Sequence, residues 1–242
     1  MALAAAFGEA RSRSGRRRYE VIGPLGHGAD GAGAEAVLLC VPDKQIATAA
    51  SAIAPGPAVG HCSGATGLDP LAPHEAFSLH PLMTVTRDGA SFAGAGAAIA
   101  GSTPRALALA GELAASLGMR AVEVADGDRA AYHAAASIAS NFLVTLEAAA
   151  ERLAAEAGVQ RQLLVPLVRA TVENWAALGA ERALTGPVAR GDEDTISSQR
   201  AAIGQYADDL LPLFDALVDA TRALASHRPE PVLRAVPEAQ PA

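Results

Sequence analysis

Three of the six histidines in this chain fall in one short stretch, Gly60–Val85, which reads G-H-C-S-G-A-T-G-L-D-P-L-A-P-H-E-A-F-S-L-H-P-L-M-T-V. Two short apolar runs, Ala58–Cys62 and Ala76–Leu79, end in polar turns that contain Gly or Pro. In an open α/β sheet, ligands bind outside the carboxyl ends of the strands. On that reading His61, Ser63 and His80 stand on the rim where a substrate would lie. An imidazole titrates near 6.5, so it can take or give a proton near neutral pH. The same residues also read as turn residues, with His as polar filler. His74, which follows Pro73, belongs to a loop on either reading. A metal held by His61, His80 and His133 is a third reading, but no local ligand spacing supports it.

A second set lies further along. Tyr132, His133, Ser137, Ser140 and Asn141 are close together in a helical run, and His133, Ser137 and Asn141 are spaced i, i+4, i+8 on one face. That face can meet a substrate or make a polar contact with another helix. A third set, Thr185-Gly186-Pro187 with Arg190, Gly191 and Asp192, forms a loop ahead of the last helices. Arg190 carries a fork of donors suited to a carboxylate, or it is a solvated residue of a capping turn.

The elements that must position these residues change character along the chain. Tyr19–Ile22 reads as a strand, followed by the turn-rich G-P-L-G-H-G of Gly23–Gly28. Ala36–Val41 is a buried strand closed by Pro42–Asp43, and Ile46–Ile53 is a helix broken at Pro55–Gly56. After the two runs of the opening stretch come a strand-like Ser91–Ile99, a helix Pro104–Leu117 with Ser102 or Thr103 as its cap, and a strand Arg120–Val124. Strands alternating with helices predict an α/β fold with a mostly parallel sheet. From Asp126 the pattern is helical: Asp128–Ala157, Gln160–Leu178 with Pro166 in its first turns, and Ser197–Ala225, divided or kinked at Gly204 and Pro212. The expected organisation is an irregular segment 1–18, a Rossmann-like domain 19–125, an all-α domain 126–228 and a disordered, proline-rich tail 229–242.

Composition narrows the function. Half of the 242 residues are apolar and only 4% are aromatic, and alanine dominates, so helices should pack closely through small side chains. The net charge of -7 argues against a nucleic-acid footprint. Lys44 is the only lysine, which leaves one candidate for any lysine base or Schiff base. Cys40 and Cys62 fall in strand-like runs, the pattern of buried free thiols in a cytosolic protein. No apolar run approaches the ~18 residues of a membrane span, and the N-terminus lacks the apolar core of a secretory signal.

The motifs H-x-S-G followed by S-L-H-P-L, then Y-H-A-A-A-S-I-A-S-N (Tyr132–Asn141) and A-L-T-G-P-V-A-R-G-D (Ala183–Asp192), resemble those of Rossmann-like proteins carrying the domain of unknown function 2520. The resemblance covers about residues 19–226. It is similar at superfamily level to pyrroline-5-carboxylate reductases, prephenate dehydrogenases and 6-phosphogluconate-dehydrogenase-like proteins. It implies an NAD- or NADP-dependent oxidoreductase acting on a small polar substrate and dimerising through the helical domain, where Asn174 and Trp175 would be packing and dimer contacts.

Site roles follow from the same resemblance. Prephenate dehydrogenases place a Ser after one strand and a His-Pro after the next and use them on the substrate hydroxyl, which implies catalytic roles for Ser63 and His80. His133 would join them, with His61, Ser137, Asn141, Thr185 and Arg190 binding substrate. In 3-hydroxyacid dehydrogenases the equivalent helix carries a catalytic lysine, and here Ser137 stands in its place. Val41, Pro42 and Asp43 match the family's turn beside the nicotinamide ribose, and Gly26 and His27 the loop near the adenosine ribose.

One expected part is missing. A dinucleotide fold opens with a strand, G-x-G-x-x-G and a helix. This chain has only the differently spaced G-x-x-G-x-G of Gly23–Gly28. The sheet is therefore expected without its first strand and glycine loop, with Ala2–Phe7 as the remnant of the helix that follows them, as a late start or a truncated gene would leave it. That omission keeps open a different reading: a non-catalytic nucleotide- or metabolite-binding protein.

Overall fold

The structure is a computed structural model that describes residues 2–10, 18–85 and 90–227. The chain forms two compact units, Met1–Phe142 and Leu143–Ala242. The first is α/β and the second is all-helical.

The first unit is built on a five-stranded sheet in the order β1 (Ala36–Leu39), β2 (Ala58–His61), β3 (Ala76–Leu82), β4 (Gly96–Gly101) and β5 (Arg120–Glu123). β1, β2 and β3 run parallel, β4 is antiparallel to β3, and β5 is parallel to β4. The sheet is mostly parallel, and its one reversal puts the carboxyl ends of β1, β2 and β3 on the edge opposite those of β4 and β5.

Alternation within β3 explains its two faces. Phe77 and Leu79 enter one core, with Ala97 and Ile99 of β4 and with Ala106, Ala110 and Leu113 of helix α3 (Pro104–Ser116). Helix α1 (Ala2–Glu9) adds Phe7 to the same core. Ser78 and His80 point the other way. Across the ladder, His61 pairs with Ser78, and Val59 pairs with Ala76. The second face is therefore apolar at Leu39, Val59 and Ala76, packed on helix α2 (Ile46–Ser51), and polar at His61, Ser78 and His80. A side-chain period of 2 produces this split. Gly60 is required between them, because a Cβ there would stand 2.4 Å from the Phe77 ring.

Helix α3 starts where its sequence predicts, with the Thr103 hydroxyl accepting from the Ala106 N–H and Pro104 in the first turn. The strand expected at Tyr19–Ile22 is not formed. A strand needs a ladder partner. In a doubly wound sheet of order 2-1-3 the second strand pairs only with the first, and among the described residues no strand precedes Ala36. The strand expected over Ser91–Ile99 begins later, at Gly96, where the ladder with β3 begins.

The helical run after Asp126 is not continuous. Helix α4 (Arg129–Ser137) passes into a π-turn over Ile138–Phe142 before α5 (Leu143–Glu156) resumes. The compact units divide at the end of this turn. The second unit continues with α6 (Arg161–Leu178), the short α7 (Ala180–Ala183) and α8 (Pro187–Arg190), then α9 (Glu193–Tyr206) and α10 (Leu211–Ser226). The helical run expected over Ser197–Ala225, with a division or kink at Gly204 and Pro212, is divided between Tyr206 and Leu211, and Pro212 stands in the first turn of the second helix. The basic run Arg11–Arg18, except Arg18, and the tail from Pro229 lie outside the described residues.

Candidate active site

β2 stops pairing with β3 at Ser78, so His80 and Pro81 extend past the end of β2. That leaves His80 half-buried at the rim and gives Pro81 a side without a ladder bond to lose. Into the space beyond β2 folds the loop Cys62–Gly67, and its conformation is fixed by side chains. Ser63 Oγ donates to Asp43 Oδ2 (2.8 Å) and accepts from the N–H groups of Ala65 (3.2 Å) and Thr66 (2.9 Å). A hydroxyl has one proton and two lone pairs, so Ser63 is saturated. Thr66 Oγ1 also donates to Asp43 Oδ2 (3.1 Å). Asp43 therefore clips the turn after β1 to the loop after β2.

His61 is fully buried and equally committed. Its Nε2–H donates to the Gly67 carbonyl (2.9 Å), and its Nδ1 accepts from the Ser63 N–H (3.2 Å). A carbonyl only accepts, so the tautomer is set by its surroundings. Burial, chiefly, holds this imidazole below its usual titration range, against the Gly67 bond. In this arrangement the Ser63 hydroxyl and both His61 ring nitrogens are engaged by the loop and its neighbours. Both hold the loop that faces His80.

His80 is different. Its Nδ1 is 2.7 Å from the Tyr132 hydroxyl, and the two rings meet edge to face with centroids 5.6 Å apart. The Nε2 side lies against Gly64, where a Cβ would come within 3.0 Å of Nε2 and within 2.9 Å of His133. Gly64 is thus the one residue that lets the loop approach both imidazoles. The His80 and His133 rings are 6.3 Å apart, and His133 is exposed. Burial first, then the neighbouring His133 and Arg129, pushes His80 below the ordinary imidazole value. Burial likewise raises the Tyr132 hydroxyl, which stays a phenol.

Arg129 lies beneath this set, 1% exposed. Its Nε donates to Asp126 Oδ1 (2.8 Å) and its Nη2 to Ser78 Oγ (2.5 Å), while Nη1 has no partner among the described residues. Asp126 also accepts from the Leu68 N–H (3.2 Å), which ties the loop after β2 to the start of α4. Burial would raise the Asp126 carboxyl, but the bonds from Arg129 and Leu68 hold it below the usual carboxylate range. Sequence reasoning passed over Arg129 and Asp126. The i, i+3 acid–base pair in D-G-D-R was the available signal, but it does not say that the guanidinium is buried under β3.

Ser137 is half-buried one turn beyond His133, and Asn141 is exposed within the π-turn. Thr185 and Arg190 belong to the second unit and are exposed. Their segment is a run of caps: Pro187 opens α8, Gly191 closes it in the left-handed region at φ 70°, and Asp192 Oδ1 accepts from the Thr195 N–H. Val41, Pro42 and Asp43 do lie at the carboxyl end of β1, beside the site, although the Asp43 carboxylate is engaged with the loop. Gly26 and His27 lie in an exposed loop that starts no helix. Among the described residues, then, no strand–glycine turn–helix is present to cradle a pyrophosphate. Cys40 and Cys62, expected to be buried, are respectively exposed and half-buried, since both lie just past the ends of their strands. Among the described residues no group of three or more His, Cys, Asp or Glu side chains is placed to hold a metal ion.

Solved structures share this fold. Protein TM1727 from Thermotoga maritima is 26% identical, with a TM-score of 0.73 over 80% of each chain. A Bacteroides fragilis protein described provisionally as an NADP oxidoreductase is 20% identical, with a TM-score of 0.70 over 78% of this chain and 76% of that one. Plasmodium falciparum pyrroline carboxylate reductase, solved with NADP bound, is 9% identical, with a TM-score of 0.57 over 93% of each chain. No protein with curated annotation matches. The family model for the domain of unknown function DUF2520 matches residues 95–221, more than half of the chain and reaching from just before β4 into α10, so this protein belongs to the DUF2520 family.

Proposed function

We propose that this protein is an NAD(P)-dependent oxidoreductase acting on a small polar substrate, with His80 as its proton acceptor. The observation that carries the reading is the His80–Tyr132 pair: one ring nitrogen is held by a phenol, and the other is turned toward the gap beside Gly64 and His133. The fold supports it, since the Plasmodium falciparum reductase with NADP bound shares the architecture.

The protonation states favour one direction of proton transfer. With Nδ1–H donating to the Tyr132 oxygen, Nε2 presents a lone pair to a substrate hydroxyl. The lowered titration range keeps the imidazole neutral at neutral pH, as a proton acceptor requires. The reverse task would need an imidazolium, which burial disfavours. His133, one position along from Tyr132, would orient the substrate from the exposed side. Location in the cytoplasm fits the reading, and no helix among the described residues is long and apolar enough to cross a membrane.

We also propose a homodimer formed through the helical unit. Leu163, Leu167 and Trp175 lie along one side of α6 and are 70%, 65% and 58% exposed. Such a stripe is what a second copy would cover.

The test is titration of the full chain with NADPH and with NADH, followed by fluorescence and calorimetry. Saturable binding of either below about 1 mM, the upper end of ordinary substrate constants, is expected. Binding of neither would sink the oxidoreductase reading and leave the His80 set to another chemistry.

A further inference from the structure

Two sulfurs lie side by side next to the site, at the carboxyl ends of β1 and β2. β1 and β2 are parallel with Leu39 opposite His61, so the next residues, Cys40 and Cys62, leave neighbouring strands side by side. Their Sγ atoms are 3.7 Å apart. Neighbouring strands lie about 4.8 Å apart, inside the Cα separation of about 4.4–6.8 Å that a disulfide accepts.

The two thiols are not equivalent. Cys40 is exposed and Cys62 half-buried. A hydrogen bond from Cys62 draws the Cys40 thiol down to about 7. The same bond, together with burial, pushes Cys62 up. A solvent-facing thiolate beside a protonated thiol is the arrangement of an attacking cysteine and its resolving partner.

We propose that Cys40 and Cys62 form a reversible redox modification site, in which a hydroperoxide oxidises Cys40 and Cys62 then closes a disulfide across the ends of β1 and β2. In the first step the Cys40 thiolate attacks the terminal oxygen of the hydroperoxide. The O–O bond breaks, and the alkoxide leaves and takes a proton from water, which gives a sulfenic acid. In the second step the Cys62 sulfur attacks the Cys40 sulfur, the S–O bond breaks, and the hydroxide leaves as water with the Cys62 proton. The pair gives up two electrons, and the hydroperoxide is reduced to an alcohol and water. A dithiol reductant reverses the bond by exchange. Closure draws the sulfurs together by about 1.7 Å, from 3.7 Å to bond length. The segments that move are those Asp43 clips together, Val41–Asp43 and Ser63–Thr66. The proposal does not depend on the activity proposed above.

The experiment is intact-mass analysis of the reduced full chain after stoichiometric hydrogen peroxide. The expected result is loss of both titratable thiols with a fall of about 2 Da, reversed by dithiothreitol. Cys62→Ser should instead collect oxygen on Cys40, about 16 Da for each atom, because nothing resolves the sulfenic acid. Cys40→Ser should keep a slow, unreactive Cys62. Iodoacetamide at pH 7 should label Cys40 at least about tenfold faster than Cys62. Several results would overturn the proposal: thiols that survive peroxide, wild-type chain that gains oxygen without losing 2 Da, equal oxidation of Cys40→Ser, or a disulfide that links two chains on a non-reducing gel.

Discussion

Three histidines that look alike in the sequence carry different burdens. His61 spends both nitrogens on the loop it holds, whereas His80 spends one and turns the other outward. Replacing His80 should therefore remove chemistry, and replacing His61 should remove stability. His80→Gln is expected to lower kcat by about 10²–10⁴, the usual worth of a positioned acid or base, with little change in Tm. In the wild type, kcat/KM for oxidation should rise with pH through a value below 6.5 and then level off, because only the neutral imidazole accepts a proton. A profile that falls over the same range would assign His80 the opposite role. Gly64→Ala should reduce turnover while the fold persists, since the new methyl meets both imidazoles. Equal rates in a side-by-side assay with the wild type would show that the loop has room to retreat.

Among the elements, the loop after β2 is held at three points: Asp43 at one end, His61 in the middle and Asp126 at the other. Asp126 also has the buried Arg129 as its partner. Removing one member of such a pair costs more than replacing the buried one by an apolar side chain, because an unpaired buried charge is left behind. Asp126→Ala should cost about 1–3 kcal/mol, since the Asp126 side chain is 47% exposed and Arg129 keeps its bond to Ser78. Arg129→Met should cost clearly less, since the partnerless Nη1 is already an expense in the native state. Urea denaturation of the two variants decides the order, and a larger loss for Arg129→Met would show that the guanidinium is better satisfied than its contacts indicate.

At the scale of the whole molecule, pH and association are the measurable properties. His61 and His80 both titrate lower in the folded chain than in the unfolded one. The unfolded chain therefore takes up protons first as pH falls. Stability should be level above about pH 7 and decline as pH drops through 6.5. His61→Asn should be less stable at pH 7 and show a shallower decline. A wild-type Tm that stays constant from pH 8 to 5 would contradict this. For association, light scattering at micromolar concentration should give twice the chain mass, and Leu167→Glu with Trp175→Glu should give the monomer. A wild type already monomeric there would remove the dimer.

Periodicity and punctuation were enough to determine much of this protein. Alternation in A-F-S-L-H-P-L places Ser78 and His80 on one face of a strand, and Thr103–Pro104 starts a helix. The shift to long alanine-rich runs marks the helical region. These are local properties, carried by dihedral preferences and by residues close in sequence. What lay beyond the sequence was occupancy. Nothing in H-C-S-G-A-T-G shows that Asp43 consumes the Ser63 hydroxyl or that the Gly67 carbonyl consumes a nitrogen of His61, because those partners are set by how the loop closes. Nor does the sequence show that Tyr19–Ile22 lacks a ladder partner, or that a π-turn interrupts the helix at Ile138–Phe142. Each was decided by long-range pairing: a hydrogen-bonding group serves only one geometry at a time, and only the assembled sheet determines which groups remain free for chemistry.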